Sequence, residues 1–309
     1  MALLLTEDDV RSLVGPADAV EAIEACCGRI ARGAVSLAAR RRLPLEEGEL
    51  AELAASDREL GYAAAKVYAT PSAGGSAVLM LFDAATSELV AVMRAAELGR
   101  LRTGAASAVA ARRLAKEGAE SLGVIGCGRQ AAAQVECIRA ALPAIGRVVV
   151  YCRTPGALAD FCKRIDAEAG ESHRDPAQQD VVVTVTTSAD PVLRGEWLQP
   201  GALVCAVGAN VPGARELDNV VLQRASFVCC DSKEQAALES SDLVEPIELG
   251  VLDWLEVHEL HEVVSSEVTG RQADDDVVVF KSNGIAAWDL ALATPVFERA
   301  RERGVGATI

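Results

Sequence analysis

The stretch Ser121-Leu-Gly-Val-Ile-Gly126-Cys-Gly128-Arg-Gln-Ala131-Ala-Ala-Gln134 constrains the fold more than any other part of the chain. A short apolar run enters a G-x-G-x-x-A pattern, and an alanine-rich segment of helical character leaves it. Gly126 permits a tight turn. Gly128 lets the backbone approach a pyrophosphate with no Cβ in between, and Ala131 is small enough for the helix to lie close to the strand. The N-terminus of that helix then faces the anion. A glycine turn in another kind of α/β domain shares some of these features, so the strand before and the helix after give the pattern its meaning. The reading is dinucleotide binding.

The surrounding sequence agrees. Beyond Lys116, runs of strand character alternate with helical ones: Ser121–Ile125 then Gln130–Ala141, and Arg147–Tyr151 then Ala157–Ala167. Further strands are expected at Asp180–Thr186, Ala202–Val207, Phe227–Cys230 and Val277–Phe280. Apolar strands separated by helices pack as a parallel sheet covered on both faces. Residues 116–284 are therefore read as a Rossmann-type, doubly wound α/β domain. The first third has a different rhythm. Thr6-Glu-Asp-Asp is a capped helix start, and Gly15-Pro16 opens a second helix whose apolar residues recur at helical spacing from Ala17 to Ile30. Arg42–Glu46, Tyr62–Tyr68 and Ala77–Phe82 read as strands, the last pairing with Glu88–Met93 across the polar link Asp83–Ser87. An alanine-rich helix follows from Ala95 to Leu114, and a final helix runs from Gly284 to Arg303. Residues 1–115 thus form an α+β domain with antiparallel strands. The spacing leaves open whether the final helix returns to it.

Charge narrows the partners. Lysine and arginine total 30 against 45 aspartates and glutamates, a net charge of −15. A chain this acidic repels nucleic-acid backbones, although a small anion remains possible where a few cations converge. The longest apolar runs fall far short of the ~18 residues of a membrane span. The N-terminus turns acidic after Leu3-Leu4-Leu5 and has no basic region, so a cytoplasmic protein is expected. Nine cysteines without a C-x-x-C pair read as reduced thiols, each a small core residue. His258 and His261 lack the spacing of a zinc-protease helix and read as part of a solvated, charged segment, with no metal site.

The second strand bears on the choice of dinucleotide. NAD sites place an acid near its end to bind the ribose 2′-hydroxyl. Here Val148-Val-Val-Tyr-Cys-Arg153-Thr154 ends in a guanidinium and a hydroxyl, and no acid follows before Asp160. NADP(H) is therefore expected over NAD(H). Three further basic positions stand in apolar or clustered surroundings: Arg40 with Arg41 and Arg42, Lys66 inside an apolar strand, and Arg102 in the alanine-rich helix. A cation in apolar surroundings needs a partner, either an internal carboxylate or a bound one.

Leu89–Met93, Arg102-Thr103-Gly-Ala-Ala-Ser-Ala, Val124-Ile-Gly-Cys-Gly-Arg-Gln-Ala, Val150-Tyr-Cys-Arg-Thr, Gly195-Glu-Trp-Leu-Gln-Pro-Gly-Ala, Val207-Gly-Ala-Asn210-Val-Pro-Gly-Ala-Arg-Glu-Leu217 and Val279-Phe-Lys-Ser-Asn-Gly284 stand in an order and spacing that resemble the ornithine cyclodeaminase/μ-crystallin family over nearly the whole chain. The resemblance implies a homodimer, with residues 1–115 and 285–309 forming a substrate-binding and dimerisation domain and 116–284 the NAD(P) domain. It implies a clamp for a small carboxylate substrate at Arg40, Lys66 and Arg102, which of the three consecutive arginines enters being open. It implies cofactor contacts from Thr103, Gly126, Gly128, Arg129, Gln130, Ala131, Arg153, Thr154, Lys281 and Ser282.

The sequence also departs from the family. Asn210 stands where cyclodeaminases have a catalytic aspartate, and an amide cannot exchange a proton. Gly104 replaces an alanine and Gly99 a threonine, which would enlarge a pocket beside the clamp. The leading expectation is an NADPH-dependent reductase of an α-imino acid such as a cyclic ketimine carboxylate. In it the clamp places the C=N carbon against the nicotinamide, Lys66 steers protonation and Asn210 hydrogen-bonds the nitrogen. The alternatives are ornithine cyclodeaminase, an alanine or other amino-acid dehydrogenase, and a non-catalytic NADPH-binding protein.

Overall fold

The computed structural model describes residues 1–70 and 77–309. It divides into a first unit, Met1–Arg102 with Ile285–Ile309, and a second, Thr103–Gly284. The C-terminal segment thus belongs with the first unit. The break near the start falls inside a helix, between Arg102 and Thr103, and not after residue 115. The helix Ala96–Leu114 serves both units, so the composition changes only where it ends.

The first unit is built on a mixed sheet. Its strands are β1 (Leu3–Leu5), β2 (Val35–Leu37), β3 (Arg41–Pro44), β4 (Glu49–Asp57), β5 (Tyr62–Thr70), β6 (Val78–Asp83) and β7 (Leu89–Arg94). The order is β1-β7-β6-β5-β4-β2, with Ala307–Thr308 beside β1 and β3 also paired to β4. Helix α1 (Glu7–Leu13) starts at a capping box in which the Thr6 hydroxyl accepts from the Asp9 amide and the Asp9 carboxylate accepts from the Thr6 amide. Helix α2 (Pro16–Ala31) begins at its proline. The β6–β7 hairpin turns through Asp83, whose carboxylate accepts from the amides of Ala85 and Thr86.

Strand β4 escapes a propensity reading. Its Glu-Leu-Ala-Glu-Leu-Ala composition suits a helix, yet Ala51, Leu53, Ala55 and Asp57 are buried at every second position. Burial on one face of a sheet overrides local preference here. Beneath that sheet the C-terminal helix, Ala286–Arg303, packs against β4, β5 and α2.

The second unit is a Rossmann-type doubly wound sheet, with all strand pairs parallel. Its strands are β8 (Ser121–Ile125), β9 (Arg147–Tyr151), β10 (Glu168–Ala169), β11 (Val181–Thr184), β12 (Leu203–Ala206), β13 (Ala225–Cys230), β14 (Val257–Glu259) and β15 (Val277–Lys281). They lie in the order β10-β9-β8-β11-β12-β15-β13-β14. The central strands β11, β12 and β15 are buried throughout, which explains their unbroken apolar runs. The order reverses at β8 and β11, and a doubly wound sheet takes its ligand beyond the carboxyl end of such a switch point.

Two expectations are corrected. The His258 segment is no solvated stretch: it forms β14, where the imidazole of His258 stacks on Phe227 with ring centres 5.0 Å apart. Nor are all the cysteines core thiols. Seven are buried thiols outside any disulfide, but Cys127 and Cys152 are joined at the half-exposed end of β8 and β9. Among the described residues no helix is long and apolar enough to cross a membrane.

Candidate functional site

The glycine loop sits at the switch point of the second unit. Gly126 has φ +115°, and a Cβ there would lie 2.5 Å from the Val185 carbonyl oxygen, so no other residue fits without a shift of backbone. Its amide donates to the Tyr151 carbonyl. At Gly128 a Cβ would meet open space, which leaves room for a ligand against the backbone. Ala131, fully buried, opens the helix Ala131–Ala141. Loop and strand ends enclose a 230 Å³ cavity lined by Gly126, Cys127, Gly128, Arg153, Thr154 and His173 among others, none of them acidic. Arg129 is exposed and Gln130 half-buried beside it. The imidazole of His173 meets the Tyr151 ring edge-on at 4.6 Å. Its pKa is lowered by burial and by the positive charge of Arg153. The unit therefore presents a backbone cradle for a diphosphate, with a cation and a hydroxyl at the end of β9 for the ribose side. The chemistry of this lining suits a dinucleotide.

A buried network holds the segment that carries Asn210, itself half-buried. The carboxylate of Glu216 accepts from the amides of Thr186, Gly208 and Ala209 at 2.7, 2.7 and 3.2 Å, and from the hydroxyls of Thr184 and Thr186. It ties the ends of β11 and β12 together, and burial raises its pKa. Asp242 accepts from the amides of Glu216 and Leu217 and pairs with Lys281 at 3.1 Å, while Lys281 Nζ donates to the Ala209 carbonyl at 2.5 Å. Lys281 is wholly enclosed. Ser282 is likewise buried, and its hydroxyl donates to Asp231, which also accepts from the amides of Asn283 and Gly284. Expected as cofactor contacts, Lys281 and Ser282 have their polar atoms engaged inside the domain. The role these positions support is to hold the backbone around Asn210 and Gly284.

Gly104 is also corrected. A Cβ there would lie 2.3 Å from the Ala133 carbonyl oxygen, so this glycine lets two helices approach and does not enlarge a pocket. At Gly99 a Cβ would meet open space. Thr103, the first residue of the second unit, is nearly buried.

The three expected substrate cations all belong to the first unit. Of the three consecutive arginines, Arg40 is buried, Arg41 is exposed, and Arg42 is engaged with Glu49. Lys66 on β5 donates to Asp289 Oδ2 at 2.6 Å, and Arg102 Nε donates to Asp289 Oδ1 at 3.1 Å. Lys66, Arg102 and Asp289 are 6, 8 and 1 % exposed. The Lys66 ammonium also lies 5.7 Å from the centre of the Tyr68 ring. Burial depresses the Lys66 pKa to about 8, the charges of Arg102 and Arg40 push the same way, and Asp289 opposes them. Burial alone would raise the Asp289 pKa, but Arg102 and Lys66 outweigh it and hold the carboxyl low. One carboxylate faces two cations here, and Arg40 adds its field to both partners. Among the described ion pairs, Lys66 and Arg102 share one carboxylate in a dry place, where a second carboxylate would complete the balance.

A family model for the ornithine cyclodeaminase/mu-crystallin family matches residues 2–304. The chain belongs to that family. A delta(1)-pyrroline-2-carboxylate reductase of Bacillus cereus is 36% identical over 237 residues, covering 74% of this chain and 72% of that protein. An archaeal alanine dehydrogenase, a dimer with bound NAD, superposes with a TM-score of 0.93 at 32% identity, covering 100% of this chain and 98% of that one. The delta(1)-pyrroline-2-carboxylate reductase of Thermococcus litoralis, in complex with NADH and L-proline, gives a TM-score of 0.94 at 28% identity, covering 99% and 100%.

Asp289 is the member of the cation cluster that sequence reasoning missed. The argument applied to Lys66, a charge embedded among apolar neighbours, applies equally to Ala287-Trp288-Asp289-Leu290 and would have found it.

Proposed function

We propose that this family member is an NADPH-dependent reductase of α-imino acids, with a cyclic ketimine carboxylate such as delta(1)-pyrroline-2-carboxylate as substrate. The observation that carries the reading is the pair of buried cations sharing the single carboxylate of Asp289. When bound, a nicotinamide supplies the hydride for the C=N carbon. Arg102 and Arg40 hold the substrate carboxylate, the guanidinium plane matching it in bidentate fashion. Lys66, with a pKa near the working range, adds a third positive contact and donates the proton that the imine nitrogen gains. Asn210 offers a hydrogen bond without proton exchange, which counts against cyclodeamination of ornithine. The reading includes a homodimer, as the archaeal alanine dehydrogenase is.

The test is direct. Purified protein with NADPH or NADH and delta(1)-pyrroline-2-carboxylate should consume reduced nicotinamide, while ornithine with NAD+ should yield neither ammonia nor proline. The opposite pattern replaces the reductase by a cyclodeaminase. Alanine with NAD+ or NADP+ in a parallel assay detects oxidation of a small amino acid, the same chemistry reversed.

The preference for NADPH rests on Arg153 and Thr154 at the cavity and on the lack of an acid among its described lining residues. Arg153→Asp should lower the NADPH-to-NADH ratio of kcat/KM by at least about tenfold, since like charges set together repel by several kcal/mol. An unchanged ratio means that Arg153 does not touch the 2′-phosphate.

A pH profile examines Lys66. Its ammonium is present below about 8 and lost above it. Accordingly, kcat/KM for the imino acid should fall as pH rises through that value, and Lys66→Arg should remove the alkaline limb. A limb that persists in the variant belongs to another group.

A further inference from the structure

Cys127 stands between the two glycines of the loop, and Cys152 follows β9 directly before Arg153. Their sulfurs are joined, with Cα atoms 5.8 Å apart, a separation that a disulfide spans without backbone movement. The other seven cysteines are buried, whereas these two are half-buried and line the 230 Å³ cavity. The bond thus crosses the gap between the diphosphate loop and the strand end beside the ribose position.

We propose that Cys127 and Cys152 form a thiol–disulfide modification site that controls dinucleotide binding. The inference rests on the reading of this cavity as the cofactor site. Bonded, the pair pins the glycine loop to the end of β9 and leaves a cavity smaller than the ~300–1,000 Å³ of ordinary ligand pockets. Reduced, the Cys127 side chain is released to rotate and the loop can adjust to the nucleotide. The bond forms by exchange with a low-molecular-weight disulfide, RSSR. The Cys152 thiolate attacks one sulfur and expels RS⁻; the Cys127 thiolate then displaces the second RS⁻. The protein S–S bond forms, the RS–SR bond breaks, and two protons and two electrons leave as two RSH. Cytosolic glutathione or a related thiol reverses the step.

The full-length protein is equilibrated with oxidised glutathione or with dithiothreitol, freed of reagent, and titrated with NADPH and NADH. Thiols counted after denaturation should fall from nine to seven on oxidation. The dissociation constant of the preferred nucleotide should rise about tenfold or more and recover on reduction. Cys152→Ser should show the same constant after either treatment; Cys127→Ala serves as the second variant should the first fail to fold. Nine thiols after oxidant, or seven with constants agreeing within about twofold, overturn the proposal. Failure of the reduced protein to bind either nucleotide removes the cofactor reading and the control built on it. That result is told apart by a thiol count that still drops from nine to seven.

Discussion

Arg102→Met is expected to lower kcat/KM for delta(1)-pyrroline-2-carboxylate by ~100–1,000-fold, as removing a buried electrostatic contact to a reacting anion does in other active sites. Its side chain is nearly buried and shares Asp289 with Lys66. Once it is gone, Asp289 and Lys66 offset one another, and the second positive charge of the pair that would draw a carboxylate is lost. The effect should appear mainly in KM, with NADPH affinity unchanged within about twofold, because the glycine cradle lies in the other unit. Arg102→Lys keeps the charge but loses the planar fork, and should fall between wild type and Arg102→Met. A decrease of less than about tenfold in the methionine variant would remove Arg102 from the clamp.

Asp289→Asn should destabilise the protein by ~3–5 kcal/mol at neutral pH, the usual cost of leaving a buried charge without its partner. The amide cannot offset Lys66 and Arg102, and the Lys66 pKa should drop further because Asp289 is the group that raises it. The pH dependence follows from the low folded-state pKa of Asp289. Its contribution is present above the ordinary carboxylate value of 3.8 and is lost as pH falls through the folded value. Urea unfolding of both proteins should therefore show a gap at neutral pH that narrows toward strong acid. A variant within about 1 kcal/mol of wild type at neutral pH would mean that the cations are satisfied elsewhere.

The parts of the molecule legible in the sequence are those whose signal is local. Gly126 and Gly128 announce the cradle, the first because its backbone position excludes a side chain and the second because its bare backbone is left open to a ligand, and β8, β11, β12 and β15 show as apolar runs because both their faces are covered. Strand β4 was hidden by residues that favour a helix in isolation. Asp289, Glu216 and Asp242 were hidden for another reason: each acquires its meaning from partners far along the chain, Lys66 being 223 residues from Asp289. The Cys127–Cys152 pair, without the spacing of a known motif, needed the β8–β9 pairing to bring its halves together. Lys281 shows the converse, a position singled out by its motif whose side chain turns inward.

The helix Ala96–Leu114 has a bearing on attempts to take the molecule apart. The line between units cuts its nineteen residues into 96–102 and 103–114, seven and twelve. Isolated helices shorter than ~12–15 residues are marginal in water. Truncation at that line, or a chimera that trades one half for a relative's, would leave frayed stumps on both fragments. Any dissection should carry the whole helix with one piece.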